Sequence, residues 1–138
     1  MRVVFDTNVL ISATQWDGSV AQKLLFKLIN TDVKIFSSAE ILSEYQRVLK
    51  RDFDYTDEEL IKIMEKILSF ITLVKPIERI NIVKNDPDDN KIIECAIASF
   101  SNYIISYDPD LLDLKEFRNI KIIKPEEARN VLWYAMEH

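Results

Sequence analysis

The chain reads as an α/β protein built on a largely parallel sheet. Three observations say so. Short apolar runs alternate along the chain with segments of helical periodicity, the pattern of βαβ units. The runs are continuously apolar (Val-Val-Phe, Ile-Phe, Leu-Val, Ile-Ile, Ile-Ile), as strands covered on both faces must be. No linker, repeat or low-complexity segment interrupts the alternation, so residues 1–138 are expected to form one domain around a single core.

Taken in order, the first strand is expected at 2–6, followed by helices near 8–14 and 19–30. A second strand near 33–36 leads into a helix over 38–51, where Ser37 and Glu40 have the spacing of a capping box. Thr56 and Glu59 repeat that spacing before a helix over 56–71, and a third strand follows near 72–75. Asp86-Pro87-Asp88-Asp89 sets a cap residue before a proline whose fixed φ suits a first helical turn, opening a helix over 88–101. Strands near 103–107 and 120–123 and a helix over 125–137, opened by Pro125, complete the series.

The 56–71 helix carries Leu60, Ile61, Ile63, Met64, Ile67, Leu68, Phe70 and Ile71, more apolar surface than one core face requires. With Tyr45, Val48 and Leu49 it either forms a hairpin that packs on a partner or is a well-covered internal helix. Trp133, Tyr134 and Met136 pose the same alternative on the last helix.

Composition removes several kinds of chemistry. Gly18 is the single glycine, which excludes a P-loop and a glycine-rich dinucleotide motif. His138 is the single histidine and stands at the end, which excludes His-centred zinc sites and Ser-His triads. Cys95 is the single cysteine and reads as a packing residue. With no internal disulfide possible, no stretch of spanning length and a strand starting at residue 2, a cytoplasmic protein without membrane contact is expected. A net charge of −5 argues against a generally basic coat. Carboxylates are nearly all that is left for catalysis.

Four of them are placed to converge. Asp6 and Asp108 end strands, and carboxyl ends of parallel strands form the ligand crevice of open α/β sheets. Asp89 falls near the middle of the apolar face Ile92-Ile93-Ala96-Ile97-Phe100, a direction that favourable interaction with the helix dipole does not explain. Glu44 borders the stripe Ile41-Tyr45-Val48-Leu49 and has no capping role, whereas Glu40 has one. Asp86 and Asp88 read as capping and dipole residues. Carboxylates crowded together repel and need a cation, a shared proton or water, so a hard-metal site is the first expectation. Setting the four aside brings the chain close to neutral, which permits phosphate binding.

At this point the residues match a family. Val-Val-Phe-Asp6-Thr7-Asn8-Val-Leu-Ile-Ser, Ser38-Ala-Glu-Ile-Leu-Ser-Glu44, Asp86-Pro-Asp-Asp89-Asn-Lys-Ile-Ile-Glu-Cys-Ala96 and Ile104-Ile-Ser106-Tyr-Asp108 resemble the PIN-domain nucleases. The chain is similar, more narrowly, to prokaryotic PIN proteins of the toxin class of toxin–antitoxin pairs. That resemblance spans nearly the whole length with the motifs in order. It implies a three-layer α/β/α domain with a five-stranded parallel sheet of order 3-2-1-4-5. It also implies Mg²⁺- or Mn²⁺-dependent cleavage of single-stranded RNA, a possible antitoxin partner, and a homodimer or larger assembly. By motif, Asp6, Glu44, Asp89 and Asp108 occupy the acidic metal-site positions, with Asn8 and Ser106 in support.

Hard oxygen ligands suit one or two such ions, which retain waters and bind substrate phosphate. The expected division has Asp6, Asp89 and Asp108 on the principal ion, with Glu44 orienting water or supporting a second ion. Arg47, Lys50, Arg51 and Lys91 are candidates for RNA backbone contact or are solvated helix charges. Trp16 either stacks on a base or covers the core edge. Two rivals stand beside this reading: a non-catalytic interaction module of the same fold, and an aspartyl-nucleophile phosphatase. The second is weakened because Asn8 stands where such enzymes carry a second acid, and the same lack of an acidic pair disfavours a receiver domain.

Overall fold

A computed structural model describes residues 1–132 of the chain. Fourteen segments alternate as β1 (Arg2–Phe5), α1 (Thr7–Gln15), α2 (Val20–Ile29), β2 (Lys34–Ser38), α3 (Ala39–Phe53), α4 (Asp57–Leu68) and β3 (Ile71–Val74) in the first half. The second half has a 3₁₀ turn at Pro87–Asp89, then α5 (Asn90–Ala98), β4 (Tyr103–Ile105), α6 (Pro109–Leu112), β5 (Glu116–Phe117), β6 (Ile120–Ile123) and α7 (Pro125–Val131). Trp133, Tyr134, Met136, His138 and the end of the last expected helix lie outside the described residues.

The strands form one sheet of order β3-β2-β1-β4-β6-β5. Four pairings are parallel, including β1 with β4 in the register Val4↔Ile104 and Phe5↔Ile105. The expected order holds, with β6 in the fifth place. The sheet has six strands where five were expected, because β5 adds an antiparallel edge to β6. Two residues are too few to show a period, and the turn joining β5 to β6 uses Arg118 and Asn119 at positive φ without a glycine.

Alternation along each strand explains the two apolar layers. Val3, Phe5, Ile35, Ile105 and Ile123 face one cluster, completed by α1, α2, α3, α4 and α7. Val4, Phe36, Ile104 and Ile122 face the other, where α5 supplies Ile92, Ile93 and Ala96 and α6 supplies Leu111. Both sheet faces are therefore covered, and the carboxyl edge is left for chemistry.

Helix starts follow local capping. Ser19 caps α2 by accepting from the Gln22 amide at 3.0 Å. Thr56 and Glu59 make the expected reciprocal box at α4. At α3 the cap is Ser38 in place of Ser37, because β2 runs two residues further than the apolar run suggests. Glu40, freed from that box, pairs with Arg79 at 3.1 Å. Asp86 precedes the 3₁₀ turn but makes no side-chain capping bond. On α4 only Leu60 and Ile67 are buried, while Ile61 is 59% exposed, so the reading as a covered internal helix does not hold.

Candidate metal centre

β1 and β4 are neighbours, so their ends deliver Asp6 and Asp108 to the same place. Asp6 N donates to Ile105 O at 3.0 Å, extending the ladder by one rung before α1 begins. The Asp6 carboxylate then caps α1: Oδ1 accepts from Val9 N at 2.9 Å. Its Oδ2 accepts from the hydroxyl of fully buried Ser106. Ser106 Oγ in turn accepts from Asp108 N at 2.9 Å, so one hydroxyl ties the two strand tips together. Asp108 caps α6 by accepting from Asp110 N at 2.9 Å, with Pro109 at the first helical position.

Asp89 reaches the same point from the other side. It closes the 3₁₀ turn and stands at the start of α5 without making a side-chain capping bond. Its Oδ2 is buried and has no hydrogen-bond partner. Among the described residues the other buried orphans are the Thr7 and Ser37 hydroxyls, so Asp89 is the one carboxyl group left in this state. A ligand oxygen from each of Asp86, Asp89 and Asp108 falls within 4.8 Å of the other two.

Asp86 was read as a capping residue, and the structure assigns it to this trio instead. No signal in the sequence marked it, because an Asp before Pro already has a local use as a helix opening. Asn90 places it there. The Asn90 side chain accepts from Ile82 N and Val83 N at 3.1 and 2.9 Å and donates to Val83 O and Pro87 O at 3.2 and 2.9 Å. Its amide is saturated, and the segment carrying Asp86 is held against α5. One turn later Glu94 continues the clamp by accepting from Ile80 N at 2.9 Å.

Electrostatics separate the acids. Burial first, then the hydrogen-bonding proximity and charge of Asp108 and the charges of Asp86 and Asp6, push Asp89 up to about 8. Burial likewise raises Asp6 to about 6, opposed by its bonds from Ser106 and Val9 and assisted by Asp108 and Glu44. Glu44 has a different arrangement: its Oε2 accepts from Lys91 Nζ at 2.8 Å. Lys91 is buried and also bonds Asp88 at 2.7 Å. Burial opposes its charge, yet Asp88 and Glu44 outweigh that and hold its pKa above the ordinary lysine value.

These side chains edge an open groove of about 660 Å³, bounded by Asn8 and by Glu44, Arg47, Val48, Lys50 and Arg51 of α3 on one side. Asp86, Asp88, Asp89 and Asp108 bound it on the other. Asp6 and Ser106 are buried beneath. Of the four acids named from sequence, Asp89 and Asp108 fall in one tight group together with Asp86, while Asp6 lies beneath it and Glu44 on the α3 side of the groove. Arg47, Lys50 and Arg51 are exposed on the groove, Lys50 paired with Asp57 and Arg51 with Asp52, whereas Lys91 is committed inside.

The trio fits a divalent cation. Opposed oxygens around Mg²⁺ stand about 4.2 Å apart. Each of the three ligand oxygens lies within 4.8 Å of the other two, a grouping that one ion with its waters can bridge, and the unpartnered Asp89 oxygen calls for positive charge.

A PIN domain family model matches residues 2–110. The chain belongs to the PIN domain family. An uncharacterized protein of Methanocaldococcus jannaschii is 30% identical over 120 residues, covering 84% of this chain and 76% of that one. Among solved structures, this PIN domain is similar to a chain of VapBC2 from Rickettsia felis, bound to a DNA fragment from their promoter. There the TM-score is 0.64 at 16% identity, over 88% of this chain and 97% of the other. A chain of VapBC-1 from nontypeable Haemophilus influenzae matches with the same TM-score and identity over 91% and 99%. At that identity the likeness is one of fold. No helix among the described residues is long and apolar enough to cross a membrane.

Proposed function

We propose that this PIN domain is a Mg²⁺- or Mn²⁺-dependent endoribonuclease acting on single-stranded RNA, and the toxin component of a toxin–antitoxin pair. The observation that carries the catalytic part is the buried, unpartnered Asp89 oxygen within reach of Asp86 and Asp108. Asp86, Asp89 and Asp108 would hold the cation. When bound, it supplies Lewis-acid polarisation of the scissile phosphate and offsets charge developing on the leaving oxygen.

The remaining groups have positioning work. Ser106 fixes the Asp108 backbone while holding Asp6, so Asp6 orients the site from below. Asp6 also remains close enough to add negative charge to the trio. Glu44 faces the groove with its Oε2 accepting from Lys91, which leaves its other oxygen to accept a hydrogen bond from an attacking water. Asn8 offers a side-chain amide at the rim, and exposed Arg47 offers a cation for the phosphate backbone.

The toxin assignment is supported by the motif resemblance and by the fold shared with the VapBC chains. Ile61, Leu68 and Leu73 stand exposed beside the free edge of β3, a surface suited to an antitoxin or a second copy. Against the phosphatase reading, both oxygens of Asp6, the residue that would be the nucleophile, already accept hydrogen bonds.

The test uses purified protein. Single-stranded RNA is cut with Mg²⁺ or Mn²⁺, and EDTA stops it. Millimolar Mn²⁺ raises the melting temperature, and Asp89→Asn removes the rise. Phosphomonoester hydrolysis without RNA cleavage would return the phosphatase. Unchanged melting and no cleavage would return the interaction module.

A further inference from the structure

One cation near the groove is supplied by the chain itself. Lys91 stands in the first turn of α5, the end of a helix where positive charge is least favoured, and only 8% of it is exposed. Burying an ammonium group is costly unless acceptors surround it. Two carboxylates from different elements offset that cost here. Glu44 Oε2 of α3 accepts from Lys91 Nζ at 2.8 Å, and Asp88 Oδ2 of the 3₁₀ turn accepts from it at 2.7 Å. Glu44 and Asp88 both border the groove and Lys91 does not, so the ammonium joins the two walls from inside the protein.

The five acids on the groove therefore divide into two sets. Asp86, Asp89 and Asp108 each bring an oxygen within 4.8 Å of the other two. None of the ion pairs among the described residues involves any of these three. Glu44 and Asp88 share Lys91 instead. The sets adjoin, since Asp88 and Asp89 are consecutive. A centre with two metal ions needs carboxylates that hold the second ion about 3.5–4 Å from the first. The acids next in line for that duty are already bonded to a positive charge fixed covalently to the fold. A second divalent ion reaching for Glu44 and Asp88 would be repelled by the ammonium that both of them touch.

Building on the metal-dependent nuclease reading, we infer that Lys91 takes the place of a second metal ion, so that this centre holds a single divalent cation on Asp86, Asp89 and Asp108. Glu44 is thereby kept off the cation and left with Oε1 free for water. Lys91 is a positioning residue that acts through Glu44 and Asp88. It is also withheld from the substrate strand: buried and doubly bonded, it cannot follow a phosphate backbone as exposed Arg47 can.

The test is a titration of the full chain with Mn²⁺ alone, the free ion being read by electron paramagnetic resonance. The unaltered protein takes up one Mn²⁺ per chain. Lys91→Met, which keeps the apolar stem and removes the charge, takes up two. Adding Glu44→Gln to Lys91→Met brings the number back to one, and Glu44→Gln by itself leaves it at one. A lysine with a merely structural role would lower the melting temperature on substitution without changing the count. Two ions on the unaltered protein, or one on a folded Lys91→Met protein, would overturn the inference. Should Lys91→Met not fold, Glu44→Gln decides: one ion retained supports the inference, and loss of the ion puts Glu44 among the ligands and overturns it. If the unaltered protein takes up two ions and cuts RNA, only this inference falls. If it takes up none, the metal-dependent reading falls with it.

Discussion

Asp6 and Glu44 on one hand, and Asp86, Asp89 and Asp108 on the other, place the same functional group in opposite electrical conditions within one groove. Asp6 accepts from a buried hydroxyl and a backbone amide, and Glu44 has a lysine at 2.8 Å. Of the other three, Asp108 has one backbone donor, Asp110 N at 2.9 Å, and beyond that the three have each other. Asp89 keeps an oxygen with no donor at all. What separates the groups is the supply of donors: α1 and Ser106 serve Asp6, α5 sends Lys91 to Glu44, and the short turn at Pro87–Asp89 has nothing left to give. Repulsion stored in an otherwise satisfied fold is how a protein reserves a place for a cation.

That contrast can be broken most forcefully at Asp108. Asp108→Asn should lower RNA cleavage on the order of 10³-fold, because a ligand to the cation loses its charge. In EDTA above pH 8, where Asp89 is ionised, the same variant should melt higher than the unaltered protein, since repulsion with Asp89 is removed. A lower melting temperature would mean that the trio is not crowded in the sense described.

Removing Lys91 attacks the satisfied side. Lys91→Met should destabilise by about 2 kcal/mol in urea unfolding, below the cost of breaking a fully buried pair because Glu44 and Asp88 keep contact with water. The melting gain from Mn²⁺ should survive, since none of the trio is touched. A loss of that gain would place Glu44 among the ligands.

The last effect is a slope with pH. Asp89 has a folded pKa of about 8, raised above its ordinary value of 3.8 chiefly by burial and then by Asp108. Between those values the folded state holds a proton that the unfolded chain has released, so the contribution of this group falls as pH rises. Without divalent cations, stability should decline from about pH 4 toward pH 8. Saturating Mn²⁺ should flatten the decline, because ligands must be deprotonated to bind it. An unchanged slope with Mn²⁺ would separate Asp89 from the cation.

Much of this architecture was legible beforehand. Val3–Phe5 and Ile104–Ile105 announced interior strands because consecutive apolar residues have no other use in a sheet covered on both faces. Asp89 stood out for the same reason in reverse, a charge directed at apolar neighbours. Asp86 did not, because Asp before Pro is so good a helix opening that the local explanation sufficed. Only tertiary contact revealed otherwise. Nothing near Asp86 in sequence says that Asn90 will grip Ile82 and Val83 from a helix and set the residue beside Asp108. Lys91 was likewise indistinguishable from the exposed cations of α3 until its burial between Glu44 and Asp88 was visible. The edge strand β5 was beyond any periodicity.

Asp6 and Asp108 each cap the helix that follows them, Asp108 on the border of the groove and Asp6 beneath it. Truncation to alanine would therefore loosen a helix and discharge the site together, confusing a folding defect with a chemical one. The amide isostere keeps an oxygen that a capping position accepts readily, and sheds only the charge. For this protein an asparagine scan, rather than an alanine scan, is the experiment that reads chemistry by itself.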